Sequence, residues 1–140
     1  MDNAKACCLA IFGGLGETAM ACLELCLDSG AGSQMSLLRR PGADEGPTRI
    51  FRFARIGALI CAGPLAQDLA IRQDGLGSEF GDLHDVLGAL AVPPHHHAAY
   101  ERALTAGHVL FILQGPEQRL RRQCRALASS TLEMPVLYVA

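Results

Sequence analysis

The sequence predicts an α+β domain made of two βαβ halves, and three observations carry that expectation. A short apolar run, a helix-patterned stretch and a second strand-like run open the chain, and the same plan closes it. About 20 residues lie between the two strands of each half, room for one crossover helix. Glycine stands where each strand gives way to its helix, at Gly13-Gly14 and again at Gly115.

The elements follow in order. Lys5–Phe12 is apolar throughout and too short for a helix, so it reads as a strand. Glu17–Ser29 reads as a helix: Met20, Leu23 and Leu27 form an apolar stripe, Glu17, Glu24 and Asp28 lie opposite, and Gly30 supplies the stop. Gln34–Arg40 is a second, more alternating strand. In the closing half His108–Gln114 is a strand, and Gly115-Pro116 opens a helix to Ser129. Proline costs least at such a start, because its missing N–H has no helical partner there. Leu120, Cys124 and Leu127 mark its buried side, with Arg119, Arg121, Arg122 and Arg125 outside. Met134–Val139 is the last strand.

Sheet order follows from which strands are apolar on both faces. Cys7, Leu9 and Ile11 alternate with Ala6, Ala10 and Phe12, and Val109, Phe111 and Leu113 alternate with Leu110 and Ile112. Such strands belong inside a sheet that is covered on both sides. Pro135 cannot donate to a ladder and puts the last strand at an edge. Two inner strands from the starts of the halves and two edges from their ends give a ferredoxin-like arrangement. The expected organisation is a single domain over residues 1–140, with halves 4–40 and 108–139 and an insertion, 41–107.

That insertion opens on a flexible turn, Pro41–Thr48. Arg49–Arg55, with Phe51 and Phe53, reads as a further strand. Ile56–Leu76 is small, apolar and ambiguous between helix and strand. Gly81–Leu90 and Pro93–Ala106 read as helices, the second ended by Gly107. The two crossover helices cover one sheet face only. The other must be covered by Ile56–Ala106 or by a second subunit, since a bare apolar face is a liability. A homodimer or larger homo-oligomer is expected, with a protein partner as a further possibility.

Composition narrows the function classes. Half of the 140 residues are hydrophobic, 19% are charged and the net charge is −2. That balance gives no electrostatic case for nucleic acid or an anionic membrane. The arginine face after Gly115 lacks the aromatic platforms that nucleic-acid binding uses, and reads as a solvated face. No apolar stretch approaches the ~18 residues of a spanning helix. The six cysteines come without a secretory pattern, so a cytoplasmic setting with reduced thiols is expected. Cys22 and Cys26 share the first helix's apolar stripe and read as core residues.

The run VPPHHHAAYERALTAGHVLFILQG, Val92 to Gly115, resembles the closing segment of the bacterial heat-induced, or general-stress, protein domain. Ala62-Gly63-Pro64-Leu65-Ala66 is similar to the glycine-rich middle of those proteins, and the opening βαβ fits their first half. The chain departs from them at His95, His96 and His97, where acidic residues are usual. The resemblance implies a ferredoxin-like fold and a stress-linked role, and brings no catalytic residues with it.

Two constellations suggest ligands. Gly14-Leu15-Gly16-Glu17-Thr18-Ala19 matches a dinucleotide-binding loop between a strand and a helix, with Arg39 and Arg40 placed to take a 2′-phosphate. Against it, the rest of the chain offers no further parallel βα units. His97 and Glu101, at i and i+4, form half of a metal site that His84 would extend. The competing reading makes His95–His97 an exposed first helical turn. Neither set outweighs a structural reading, and no nucleophile has a base and an orienting acid near it in sequence. The function expected is a non-enzymatic, stress-associated module without a cofactor, which self-associates or binds a partner. NADP-like binding through Gly14, Gly16, Arg39 and Arg40, or metal binding through His84, His97 and Glu101, are the alternatives.

Overall fold

In a computed structural model of the chain, the residues described are 5–14, 16, 18, 20, 34–41, 50–53, 56–66 and 83–139. They form an α+β structure around one six-stranded sheet. The strands are β1 (Lys5–Phe12), β2 (Gln34–Arg39), β3 (Ile50–Phe53), β4 (Gly57–Ala62), β5 (Val109–Pro116) and β6 (Val136–Val139). The helices are α1 (Leu83–Ala89), α2 (Pro94–Thr105) and α3 (Glu117–Leu127). The order across the sheet is β3-β4-β2-β5-β1-β6, and every neighbouring pair is antiparallel.

β1 and β5 are adjacent inside the sheet, paired from Lys5↔Pro116 to Phe12↔Val109. Their two apolar faces are both used. Cys7, Leu9 and Ile11 share one core with Leu83, Leu87, Tyr100 and Leu104 of α1 and α2. Ala6, Cys8, Ala10 and Phe12 share the other with Leu120 and Leu127 of α3. The sheet is therefore sandwiched between helices, and the face opposite α3 is covered by the insertion itself. This answers within one chain the need for cover that would otherwise call for a second subunit.

The insertion differs from expectation in one respect. It adds the β3–β4 hairpin to the sheet beside β2, paired Leu37↔Ala62 to Arg39↔Ile60, so β2 is interior and not an edge. Phe51 and Phe53 of β3 and Leu59 of β4 are buried in the α1–α2 core, which is why this segment joins the sheet. β6 is an edge, with Pro135 just before it. Most of the expected Glu17–Ser29 helix, with Cys22 and Cys26, lies outside the described residues, as do residues 42–49, which hold all of the expected turn but Pro41, and residues 67–82.

Helix ends explain how α2 is set. Gly107 takes φ +91° after α2, with its N–H on Leu104 O and the His108 N–H on Ala103 O. This is the paired bonding that a left-handed residue allows past a helix end. The turn between α1 and α2 uses the same device with a different residue. Ala91 has φ +68°, its N–H reaches Gly88 O, and the Val92 N–H reaches Leu87 O. A non-glycine residue there is held in a disfavoured conformation by the packing on either side. Among the described residues no helix is long and apolar enough to cross a membrane.

The cysteines depart from the reduced-thiol expectation. Cys8 in β1 and Cys124 in α3 form a disulfide across 116 residues of chain, with Cα atoms 6.7 Å apart. β1 and α3 pack directly, so residues on their facing sides stand within bridging distance. Cys7 and Cys61, on the other side of the sheet, are buried free thiols.

Candidate functional site

The most structured polar site lies between α2 and the chain entering β6. β6 pairs with β1 so that Tyr138 stands opposite Cys7, on the sheet face covered by α2. The Leu132 N–H donates to Ile11 O at 2.9 Å and ties the approach to β6 against β1. α2 supplies the opposite wall. Between them is a cavity of about 180 Å³, lined among others by Leu9, Ile11, His96, Tyr100, Met134 and Tyr138. A second cavity of about 300 Å³ shares Ile11, Ala99 and Glu133 with it and runs along α2 to Arg102 and His108.

At one end of this groove three side chains form a relay. The Tyr100 and Tyr138 hydroxyls are 2.6 Å apart, and Tyr138 OH is 2.8 Å from His96 Nδ1. Tyr100 is buried and, among the described residues, finds no other side-chain partner, so its hydrogen goes to Tyr138. An unmade bond from a buried hydroxyl costs ~1–3 kcal/mol. Among the described residues His96 Nδ1 is the acceptor left for the Tyr138 hydrogen, and with that bond made the neutral imidazole carries its own hydrogen on Nε2. A protonated ring carries one there too. His96 thus presents an N–H donor at Nε2 in either state.

The electrostatics hold these groups in unreactive forms. Burial pushes the Tyr100 hydroxyl up, and its hydrogen bond to Tyr138 and the nearby Glu133 charge add to that. Burial also raises Tyr138, partly offset by the Tyr100 hydrogen bond. Desolvation pushes the Cys7 and Cys61 thiols to about 12. A phenolate or thiolate is disfavoured at each position, the reverse of the tuning that a nucleophile or general base requires.

The metal alternative is brought together in space, but in a different form. His84 of α1 reaches His97 of α2, Nδ1 to Nδ1, at 2.8 Å. His97 Nε2 is 2.8 Å from Val92 O, and His84 Nε2 is 3.3 Å from the Glu101 carboxylate. Val92 O only accepts, so His97 Nε2 carries a hydrogen. One hydrogen lies between the two facing Nδ1 atoms and joins the rings. The contact with Glu101 is an ion pair only when His84 is protonated. Glu101 and His97 approach opposite nitrogens of His84, so the three make a chain between two helices and not a cage around an ion. Among the described residues no group of three or more His, Cys, Asp or Glu converges on a metal position. The exposed first turn expected for the histidines applies to His95 alone: His96 is half-buried, and His97 is buried because α1 folds back over it.

The glycine loop sits in a frame unlike a dinucleotide site. Both the Thr18 N–H and its hydroxyl close on the Gly14 carbonyl, and nothing stands within 4 Å of where a Gly16 side chain would begin. β1 and β2 are separated by the antiparallel β5, whereas that reading needs them as parallel neighbours. Arg39 donates to its neighbour's carbonyl, Arg40 O. Arg40 donates to Thr105 O at 3.1 Å, at the C-terminal end of α2 where carbonyls lack helical partners. On α3, Arg121 pairs with Glu117 one turn earlier.

Sequence reasoning passed over the relay. The chain has only two tyrosines, and Tyr138 joins the other, Tyr100, to His96. That scarcity is the one signal that pointed here. Comparison with family models, with curated proteins and with solved structures found no match to this chain.

Proposed function

We propose that this chain is a non-enzymatic binding module of ferredoxin-like fold, which takes a small ligand in the groove between α2 and β6. The observation that carries this reading is the Tyr100–Tyr138–His96 relay. It offers a fixed hydrogen-bond donor beside an apolar floor, while burial disfavours the ionised form of each tyrosine and of the nearby thiol Cys7. Such a group orients a ligand without attacking it. What supports the fold reading is the order β2-β5-β1-β6 with antiparallel neighbours, to which the β3–β4 hairpin is an addition.

A stress-linked role, in line with the resemblance of Val92–Gly115, and a cytoplasmic setting belong to the same proposal. In that compartment Cys8 and Cys124 stand as thiols at rest and close their bridge on oxidation. Self-association belongs to it too. Leu132, Met134 and Val139, all exposed, are grouped on the segment leading into and through β6. A light-scattering mass at high concentration is expected to exceed that of one chain, and a strict monomer refutes that part. For the groove, NMR titration with a small apolar probe such as phenol should shift His96, Tyr100 and Met134 in the native protein. The shifts should vanish in Ala99→Trp, which fills the cavity. Shifts confined to other surfaces would refute the binding reading.

A further inference from the structure

We propose that the groove is an amide site, in which a ligand carbonyl accepts from His96 Nε2–H and the adjoining amide N–H donates to the Glu133 carboxylate. The ligand's apolar body lies on Leu9, Ile11 and Met134. This deepens the binding reading above and rests on it.

The two polar partners are opposite in kind. The relay leaves His96 a donor at Nε2 whether the ring is neutral or charged, because Nδ1 faces Tyr138. An ionised Glu133 only accepts, and Glu133 lines the same cavity. A ligand must therefore offer an acceptor and a donor close together. A carboxylate would meet His96 but place like charge beside Glu133. An ammonium would pair with Glu133 and turn donors toward the His96 donor. An ester carbonyl would leave Glu133 without a partner. An uncharged amide has both features on adjacent atoms.

Size agrees with this. A space of about 180 Å³ is ~7 Å across if round. An amide oxygen and nitrogen are ~2.3 Å apart, and two hydrogen bonds of ~2.9 Å extend the span to at most ~8 Å. A ligand of that length fits the cavity, and meeting both partners at once is part of the proposal. The exposed Met134 offers a polarisable, adaptable wall for an aromatic or branched body. The occupant proposed is a small apolar amide, not a protein surface.

The test is an NMR titration of the whole chain with benzamide, methyl benzoate and benzoate at neutral pH. Benzamide should bind roughly fivefold more tightly than the other two, the worth of one hydrogen bond. Glu133→Leu, at an exposed position, should keep the fold and remove that preference, leaving benzamide and the ester alike. Tyr138→Phe frees the His96 ring to exchange tautomers and should lower benzamide binding more than it perturbs the spectrum elsewhere. Equal affinity for all three probes in the wild-type groove overturns the amide assignment and leaves the binding reading standing. No groove shifts with any probe overturn both.

Discussion

A Cβ on Gly63 would stand 2.2 Å from the carbonyl oxygen of Met35. The chain leaving β4 is pressed against β2 at this point. Beside it the Leu65 N–H donates to the buried Ser36 hydroxyl at 3.0 Å. Gly63 also has φ +95°, so two independent constraints exclude a side chain. Gly63→Ala should destabilise the protein by about 3 kcal/mol or more, combining left-handed strain with displaced backbone. Urea unfolding should show a lower midpoint with little change in slope. A midpoint within error of wild type would show that β2 and the β4 turn are not packed as described.

How far the sequence carried the fold depends on where its signals were local. β1 and β5 were legible because continuous apolar runs of that length fit only a doubly covered strand, and α2 because Gly107 marks its end. The β3–β4 hairpin was half legible. Phe51 and Phe53 announce a strand, but the small residues of Gly57–Ala62 carry no period that separates strand from helix. The relay was not legible, since His96 and Tyr100 meet Tyr138 across 42 and 38 residues. The structure brings His84 and His97 together, yet the burial of His97 depends on α1 returning over α2, which no spacing reports.

In the oxidised protein the Cys8–Cys124 bridge should be the main covalent contribution to stability. It closes a loop of 116 residues, and closures of that length typically add about 2–4 kcal/mol by restricting the unfolded chain. Pairing among six cysteines is open from sequence alone, and no short spacing singles this pair out. Reduction with dithiothreitol, or Cys124→Ala, should lower the melting temperature by several degrees, and α3 should exchange its amides faster than β5. Identical melting curves with and without reductant would mean the bridge contributes nothing.

Alkaline pH should destabilise the protein through the buried thiols. Cys7 and Cys61 ionise near 9 when exposed and at about 12 in the fold. Above 9 the unfolded chain releases these protons while the native state keeps them, so stability falls as pH rises. The contribution is fully present below pH 9 and is lost progressively toward 12. Tyr100 and Tyr138 act in the same direction. Chemical unfolding at pH 8, 9.5 and 10.5 should show a steadily falling midpoint. Serine at both Cys7 and Cys61 should flatten part of that slope, and an unchanged slope in the double variant would assign the effect elsewhere.

The chain from Val92 O through His97 and His84 to Glu101 ties α1 to α2, and its parts should act together. His97 is 4% exposed, so losing its ring leaves Val92 O and His84 Nδ1 without their partner and also opens space in the core. His97→Ala should cost about 2–3 kcal/mol on both counts. His84→Ala, at a half-exposed position, should cost about 1 kcal/mol. If the two rings share a hydrogen bond, the double variant should cost less than the sum of the singles, by about 0.5–1.5 kcal/mol. Zinc offers a contrasting readout. A ligand held by the native state raises the melting temperature, whereas a hydrogen-bonded chain has no use for the ion. A zinc-dependent rise that disappears in His84→Ala would replace the chain reading with a metal site, and strict additivity of the two substitutions would remove the coupling altogether.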